Sequence, residues 1–357
     1  MSANIKESDF PTIRFKYLAK SFWLFVLVVL VAIAAFPSSA EAKVMQYLKG
    51  NSADVNPPLS GMVSDLGGGG TDVDPAIQWM INQVRGCSNC ATKVDVVVIR
   101  SPDDDPSDDD AYNQPILDMQ GVDSVETLVI GSREDANQPD VVKRIRQAEV
   151  IFFAGGDQCN YARNFQRNGL EDAVKSVYAR GGGIGGTSAG AMIQSEFIYN
   201  ACLQGRKNIT SDDALSDPYR DISFTNDLFN WTTLKGTIID THFDTHDRMG
   251  RLMAFIARQI RDGMADEVLG IGLPEATSLV VNRDGMAQVM GKGPVYFVLG
   301  DRSPDRCEPG QSLSFSKFKI WKASDGQKFD LKNRPTTGYY LKTVNQGRLS
   351  ADPDRSS

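Results

Sequence analysis

Gly182-Gly183-Ile184-Gly185-Gly186-Thr187-Ser188-Ala189-Gly190-Ala191 is the stretch on which the fold turns. It sets Ser188 inside G-x-S-x-G, as Gly186-Thr187-Ser188-Ala189-Gly190. That pattern is a nucleophile elbow, a strand turning sharply into a helix so that a serine hydroxyl stands clear of the backbone. Flanking glycines supply the unusual dihedrals and the room for close backbone approach. A run of small residues precedes the serine, and the helix-like Ala191-Met192-Ile193-Gln194-Ser195-Glu196-Phe197 follows. The surroundings therefore read strand, turn, helix.

Outward from the elbow, strand-like and helix-like segments alternate. Val94-Asp95-Val96-Val97-Val98-Ile99 is a β-branched run of the kind buried on both faces. Residues 126–130, 150–153, 183–186, 237–239 and 278–281 are further strands. Helical spacing of apolar residues is found over 75–85, 139–147, 170–180 and 248–261. This alternation predicts an α/β fold with a mainly parallel sheet and helices on both faces. Beyond residue 295, strands at 295–299 and 315–321 are expected as additions to the same domain.

The chain has 357 residues, 41% of them hydrophobic and 23% charged, with a formal net charge of −7. Such a composition is ordinary for a globular protein, and no basic cluster points to nucleic acid. The N-terminus has a different character. Arg14, Lys16 and Lys20 precede an apolar run from Phe22 to Phe36, and Ala40-Glu41-Ala42 is an A-x-A cleavage site. This is the layout of a secretory signal, so residues 1–42 are expected to be removed on export, leaving no stable membrane association, with an uncleaved signal anchor as the alternative. Residues 43–345 are expected to form the domain, with 346–357 a disordered tail. In an oxidising setting, Cys87 and Cys90 suit a local disulfide, and Cys202 with Cys307 a second one. The acidic run Asp103 to Asp110 is a solvated loop or a lure for basic substrates.

A serine nucleophile needs a base, and the chain has only two histidines, His242 and His246. His242 follows Thr237-Ile238-Ile239, at the strand end where ligands gather in open α/β sheets. Glu275 lies in a loop before a strand, but spacing does not choose it over Asp240, Asp244 or Asp247 as the orienting acid. The N–H of Ala189, and one from Ala154-Gly155-Gly156-Asp157-Gln158 (Gly156), are candidate oxyanion donors. Gly67-Gly68-Gly69-Gly70 lines the same edge in this reading. A rival remains. Asp240, His242, Asp244 and His246 alternate, and in an extended strand they would share a face able to hold a metal for a metal-dependent hydrolase. A non-catalytic binding protein is the other alternative.

Taken together, these segments resemble the cyanophycinase branch of the S51 serine peptidases, relatives of aspartyl dipeptidase. The resemblance is carried by Phe153-Ala154-Gly155-Gly156-Asp157-Gln158, by Gly185 to Ala191, by Asp240-Thr241-His242-Phe243 with Arg248-Met249-Gly250-Arg251-Leu252, and by Gly270 to Thr277. It implies Ser188 as nucleophile, His242 as base and Glu275 as orienting acid. It implies a flavodoxin-like fold close to class I glutamine amidotransferases and a homodimer. Because a triad accounts for the two histidines and the serine elbow, no cofactor and no metal are expected. The resemblance also implies peptide cleavage after aspartyl residues, with a peptide or cyanophycin-like substrate. Asp157, Gln158, Asp240, Thr241, His246, Arg248 and Arg251 would form the substrate cleft. Thr241 and His246 depart from the glutamine and the basic residue usual there, and Pro274 precedes Glu275 where aspartate is usual.

Overall fold

The computed structural model describes residues 44–102, 110–203 and 208–350. The expected signal segment and nearly all of the acidic run lie outside the described residues. In chain order the strands are β1 (Met45–Gly50), β2 (Val63–Gly67), β3 (Val94–Arg100), β4 (Val122–Val129), β5 (Val150–Phe153), β6 (Gly183–Thr187), β7 (Phe197–Tyr199), β8 (Phe224–Asn226), β9 (Thr237–Asp240), β10 (Val268–Gly272), β11 (Thr277–Val281), β12 (Met286–Gly291), β13 (Val295–Gly300), β14 (Phe315–Ala323), β15 (Lys328–Asp330), β16 (Tyr340–Asn345) and β17 (Arg348–Leu349). They form a nine-stranded sheet, β1-β4-β3-β5-β6-β2-β11-β12-β15, and an eight-stranded sheet, β17-β16-β14-β13-β10-β9-β7-β8.

The centre of the first sheet, β4-β3-β5-β6-β2, is wholly parallel. β3 shows how the sequence produces it. Val94, Val96 and Val98 pack with Met80, Ile81 and Val84 of the helix Asp74–Arg85 on one face. Val97 and Ile99 pack on the other face with Val141 and Ile145 of the helix Pro139–Gln147 and Val174 and Val177 of the helix Gly169–Ala179. Successive side chains point to opposite faces, so a strand covered on both is apolar along its covered stretch, here Val96 to Ile99. The α/β layout with helices on both faces is thus the one expected.

The second sheet was not legible in advance. Thr237–Ile239 was expected among the strands of one sheet, yet β9 belongs to the other, parallel to β10 and to β7. The reason is an edge already taken: β11 runs antiparallel to β2 and closes the parallel array on that side. β9 and β10 then pair with each other, and β10 continues antiparallel to β13. The helix Met249–Arg261 covers this second sheet, with Leu252 and Ile256 seated against Gly270. The 345 boundary also shifts, because β17 pairs with β16 and carries regular structure to Leu349. Residues 351–357 lie outside the described residues.

Two disulfides are formed, Cys87–Cys90 as expected and Cys159–Cys202. Pairing of Cys202 with Cys307 is corrected. Cys159 lies in the first turn of the helix Gln158–Phe165 and stands 5.0 Å, Cα to Cα, from Cys202, within bridging range. Cys307 is left buried and free, its thiol pushed up to about 12 by burial. No helix among the described residues is long and apolar enough to cross a membrane.

Candidate active site

The site forms where the C-terminal end of β6 meets that of β9. Ser188 sits directly after β6 with φ 53° and ψ −120°, a conformation that L-residues rarely adopt, and the helix Ala189–Met192 follows. This is the elbow as the sequence predicted it, with strain located at the nucleophile position. Ser188 Oγ is 2.8 Å from His242 Nε2, and His242 Nδ1 is 2.6 Å from Glu275 Oε1. Thr245 Oγ1 donates to the same carboxylate oxygen at 3.2 Å. The hydrogen bond to His242, followed by that from Thr245, holds the Glu275 carboxyl below its usual range. The carboxylate is therefore ionised at neutral pH and able to face an imidazolium.

One short loop ties the three residues together. Gly67 O accepts from Ser188 N at 3.0 Å, Gly68 O from His242 N at 2.8 Å, and Gly69 O from Ala276 N at 3.0 Å. Gly68 fits only without a side chain, because a Cβ would lie 1.8 Å from Pro274 O. Gly69 has φ +97°, and its Cβ would fall 2.4 Å from His242 Cε1. The glycine run expected merely to line this edge is in fact the template that fixes serine, histidine and acid loop in mutual register. Its missing Cβ atoms were the signal, but sequence could not say what occupied their space.

The serine opens into a cavity of about 230 Å³ lined by Gly156, Gln158, Met192, Asn208, Thr241, His242, His246, Arg248 and Arg251. Gly156, Gln158, Thr241, His246, Arg248 and Arg251 were all expected here; Met192 and Asn208 were not. Asn208 Oδ1 accepts from Arg248 Nη2 at 3.4 Å. The Nε of Arg248 and the Oγ1 of Thr241 are buried without a hydrogen-bond partner among the described residues. Among the described residues no carboxylate lines the cavity, and Arg248 and Arg251 make its wall cationic. Partial burial, then the positive charge of Arg248, lowers the His246 pKa, so that ring is neutral at pH 7.

Two expectations are corrected. Asp240 does not line the cavity. It is fully buried beneath it, bound by Arg251 through Nε at 2.9 Å and through Nη2, with Arg248 Nη1 at 3.6 Å. Asp157 is the N-cap of the helix Gln158–Phe165, accepting from Cys159 N at 2.9 Å, and it lines a neighbouring cavity with Ser101 and Asn160. The alternating Asp/His face is not formed either. β9 ends at Asp240, and the chain then turns, with His242 at φ 48°. Turn geometry instead gathers His242, His246 and Glu275, one ligand atom of each within 4.8 Å of the others.

Comparison with known proteins agrees with this architecture. The sequence model of Peptidase family S51 matches residues 108–289, just over half of the chain. A cyanophycinase from Nostoc sp. is 27% identical over 250 residues, covering 68% of this chain and 78% of the relative. One from Synechococcus elongatus is 26% identical over 217 residues, covering 59% and 62% respectively. The crystal structure of a peptidase from an acI-B1 Actinobacterium superposes with a TM-score of 0.51 at 18% identity, spanning 76% of this chain and 98% of that one, a likeness of fold. With the family's profile running through both the elbow and the His242 loop, this chain belongs to peptidase family S51, the serine-type peptidases.

Proposed function

We propose that the protein is an exported exopeptidase that hydrolyses aspartyl or β-aspartyl peptide bonds, in the manner of a cyanophycinase, through a Ser188–His242–Glu275 acyl-enzyme route. The observation that carries the reading is a continuous serine–imidazole–carboxylate hydrogen-bond chain, 2.8 and 2.6 Å, opening into a cavity walled by arginines. In the proposed reaction Ser188 Oγ attacks the scissile carbonyl carbon and its proton passes to His242 Nε2. Glu275 steadies the imidazolium through Nδ1. The N–H groups of Gly156 and Ala189 are the proposed donors to the carbonyl oxygen as it becomes negative. His242 then gives its proton to the leaving amine, the C–N bond breaks, and water repeats the sequence on the ester. Arg248, with Arg251 and its Asp240 partner behind it, gives the wall the positive charge that suits a substrate carboxylate.

The test is incubation of the purified protein with β-aspartyl dipeptides, α-aspartyl dipeptides and cyanophycin, with product analysis by mass spectrometry. Release of the residue following aspartate is expected, together with labelling of Ser188 by a serine-reactive phosphonate. Labelling without hydrolysis of any aspartyl substrate would overturn the substrate class but keep the nucleophile. Absence of both would favour a binding protein on the same scaffold. Export belongs to the proposal and rests on the tripartite N-terminus alone. Native protein is expected to begin at Lys43 on N-terminal sequencing, and an intact Met1 on membrane-bound material would overturn cleavage.

A further inference from the structure

We infer that His242, His246 and Glu275 form a binding site for a zinc-like divalent cation whose occupation switches the serine off. The inference rests on the triad reading above for its inhibitory effect, but not for the site itself. His246 N donates to His242 O at 3.3 Å, so a single five-residue turn, opened by His242 at φ 48°, joins the two histidines. Their ring centroids are 5.8 Å apart. Histidines four residues apart on one turn are the pair that zinc-binding helices use. Glu275 adds a carboxylate, and one donor atom from each of the three lies within 4.8 Å of the others. Two imidazoles and one carboxylate match the borderline preference of Zn²⁺ and leave a fourth tetrahedral position for water. Mg²⁺ and Ca²⁺, which prefer oxygen, are poorly served.

Access and charge permit entry. His246 is exposed, and the side chains of His242 and Glu275 are 24% and 34% exposed. Asp244, whose Oδ1 accepts from Glu275 N at 3.2 Å, adds a second carboxylate on this side. Arg248 and Arg251 oppose a cation, but Asp240 lies against both. A metal ion replacing the proton between His242 Nδ1 and Glu275 must widen their 2.6 Å separation to about 3.3 Å, the spacing of two tetrahedral ligands with bonds near 2 Å. A carboxylate one-third exposed can turn that far.

The chemistry of inhibition follows from tautomers. When the cation takes the Nδ1 lone pair, neutral His242 releases its single proton from Nδ1 and takes one up at Nε2, a tautomer shift with no net change in protons. That nitrogen faces Ser188 Oγ at 2.8 Å, where the reaction needs an acceptor and now finds a donor. Coordination through Nε2 instead would occupy the same lone pair directly.

The experiment is a calorimetric titration of the purified protein with ZnCl₂, repeated on His246→Gln and Glu275→Gln, with Co²⁺ absorption spectra to report ligand geometry. Wild-type protein is expected to bind one Zn²⁺ per chain. Each variant should bind about tenfold more weakly or worse, since even outer partners of metal sites carry effects of that size. Zn²⁺ should suppress phosphonate labelling of Ser188 and any peptide hydrolysis with the midpoint of the binding curve, reversed by EDTA. Absence of binding, or affinity unchanged in His246→Gln, overturns the site. Binding that leaves labelling untouched overturns the inhibition. Hydrolysis that requires Zn²⁺ overturns the inhibition and the serine mechanism together. If no aspartyl peptide is cleaved at all, the functional reading fails while calorimetry still decides the metal site.

Discussion

Ser188→Ala is expected to lower kcat by about 10⁶-fold, while thermal unfolding shifts little. Removing a serine nucleophile from a comparable triad costs that much, because its partners act only through it. The fold has no need of the hydroxyl. The elbow is set by backbone bonds, Ser188 N to Gly67 O at 3.0 Å and Met192 N to Ser188 O at 3.0 Å, and neither involves the side chain. Alanine meets the same positive φ as serine, so the strain at φ 53° is retained. His242→Ala should be as inactive, and the double variant no worse than either, since the two residues are one device. Glu275→Gln should retain more, with a loss of about 10⁴-fold, the order seen when an orienting acid is replaced by its amide and the imidazole is held in the wrong tautomer. The measurement is single-turnover hydrolysis of an aspartyl peptide beside a melting curve for each variant. Near-normal turnover in Ser188→Ala would remove the mechanism entirely.

How far the sequence carried the reading can be judged residue by residue. β3 and β5 were legible because burial on both faces demands unbroken apolar runs, a purely local signature. The elbow was legible because its conformation requires small neighbours on either side. What escaped was non-local. Thr237–Ile239 reads as a strand in any sheet, and only the occupation of the β2 edge by β11 sends it to the second one. Asp240 and Asp157 looked alike as polar residues beside catalytic motifs. One became the counter-ion beneath two arginines and the other a helix cap, according to which donors lay three-dimensionally near. Glu275 could not be chosen over Asp244 or Asp247 by spacing. The choice is made by the 2.6 Å contact with His242 Nδ1, which depends on the Gly67–Gly70 loop lying between them. Met192 and Asn208 carried no motif at all, so nothing in the sequence marked them.

Asp240→Ala is expected to destabilise the protein by about 3–5 kcal/mol, the cost of leaving one partner of a buried ion pair alone. Arg251 is only 2% exposed and binds both oxygens of Asp240. Its guanidinium lies 5.3 Å from the ring centre of Tyr199 and 5.5 Å from that of Phe255. Those faces soften the loss, as does Nη1 donating to Ile209 O at 3.2 Å, but none of them carries a full negative charge. The backbone of residue 240 would stay, since its carbonyl accepts from Leu273 N at 2.8 Å whatever the side chain. Instability should therefore exceed local disorder at His242, and melting should fall by on the order of 10 °C. The double variant Asp240→Ala with Arg251→Met separates pairing from packing. Removing both charges leaves only Arg248, 3.6 Å from the lost carboxylate, without its counter-ion, so part of the lost stability should return, while KM for an aspartyl peptide rises as the cavity wall is rebuilt. Urea unfolding of the single and double variants, read beside KM, is the measurement. If Asp240→Ala melts with the parent, the pair does not hold the floor of the site, and Arg251 must draw its placement from the aromatic faces and the Ile209 carbonyl.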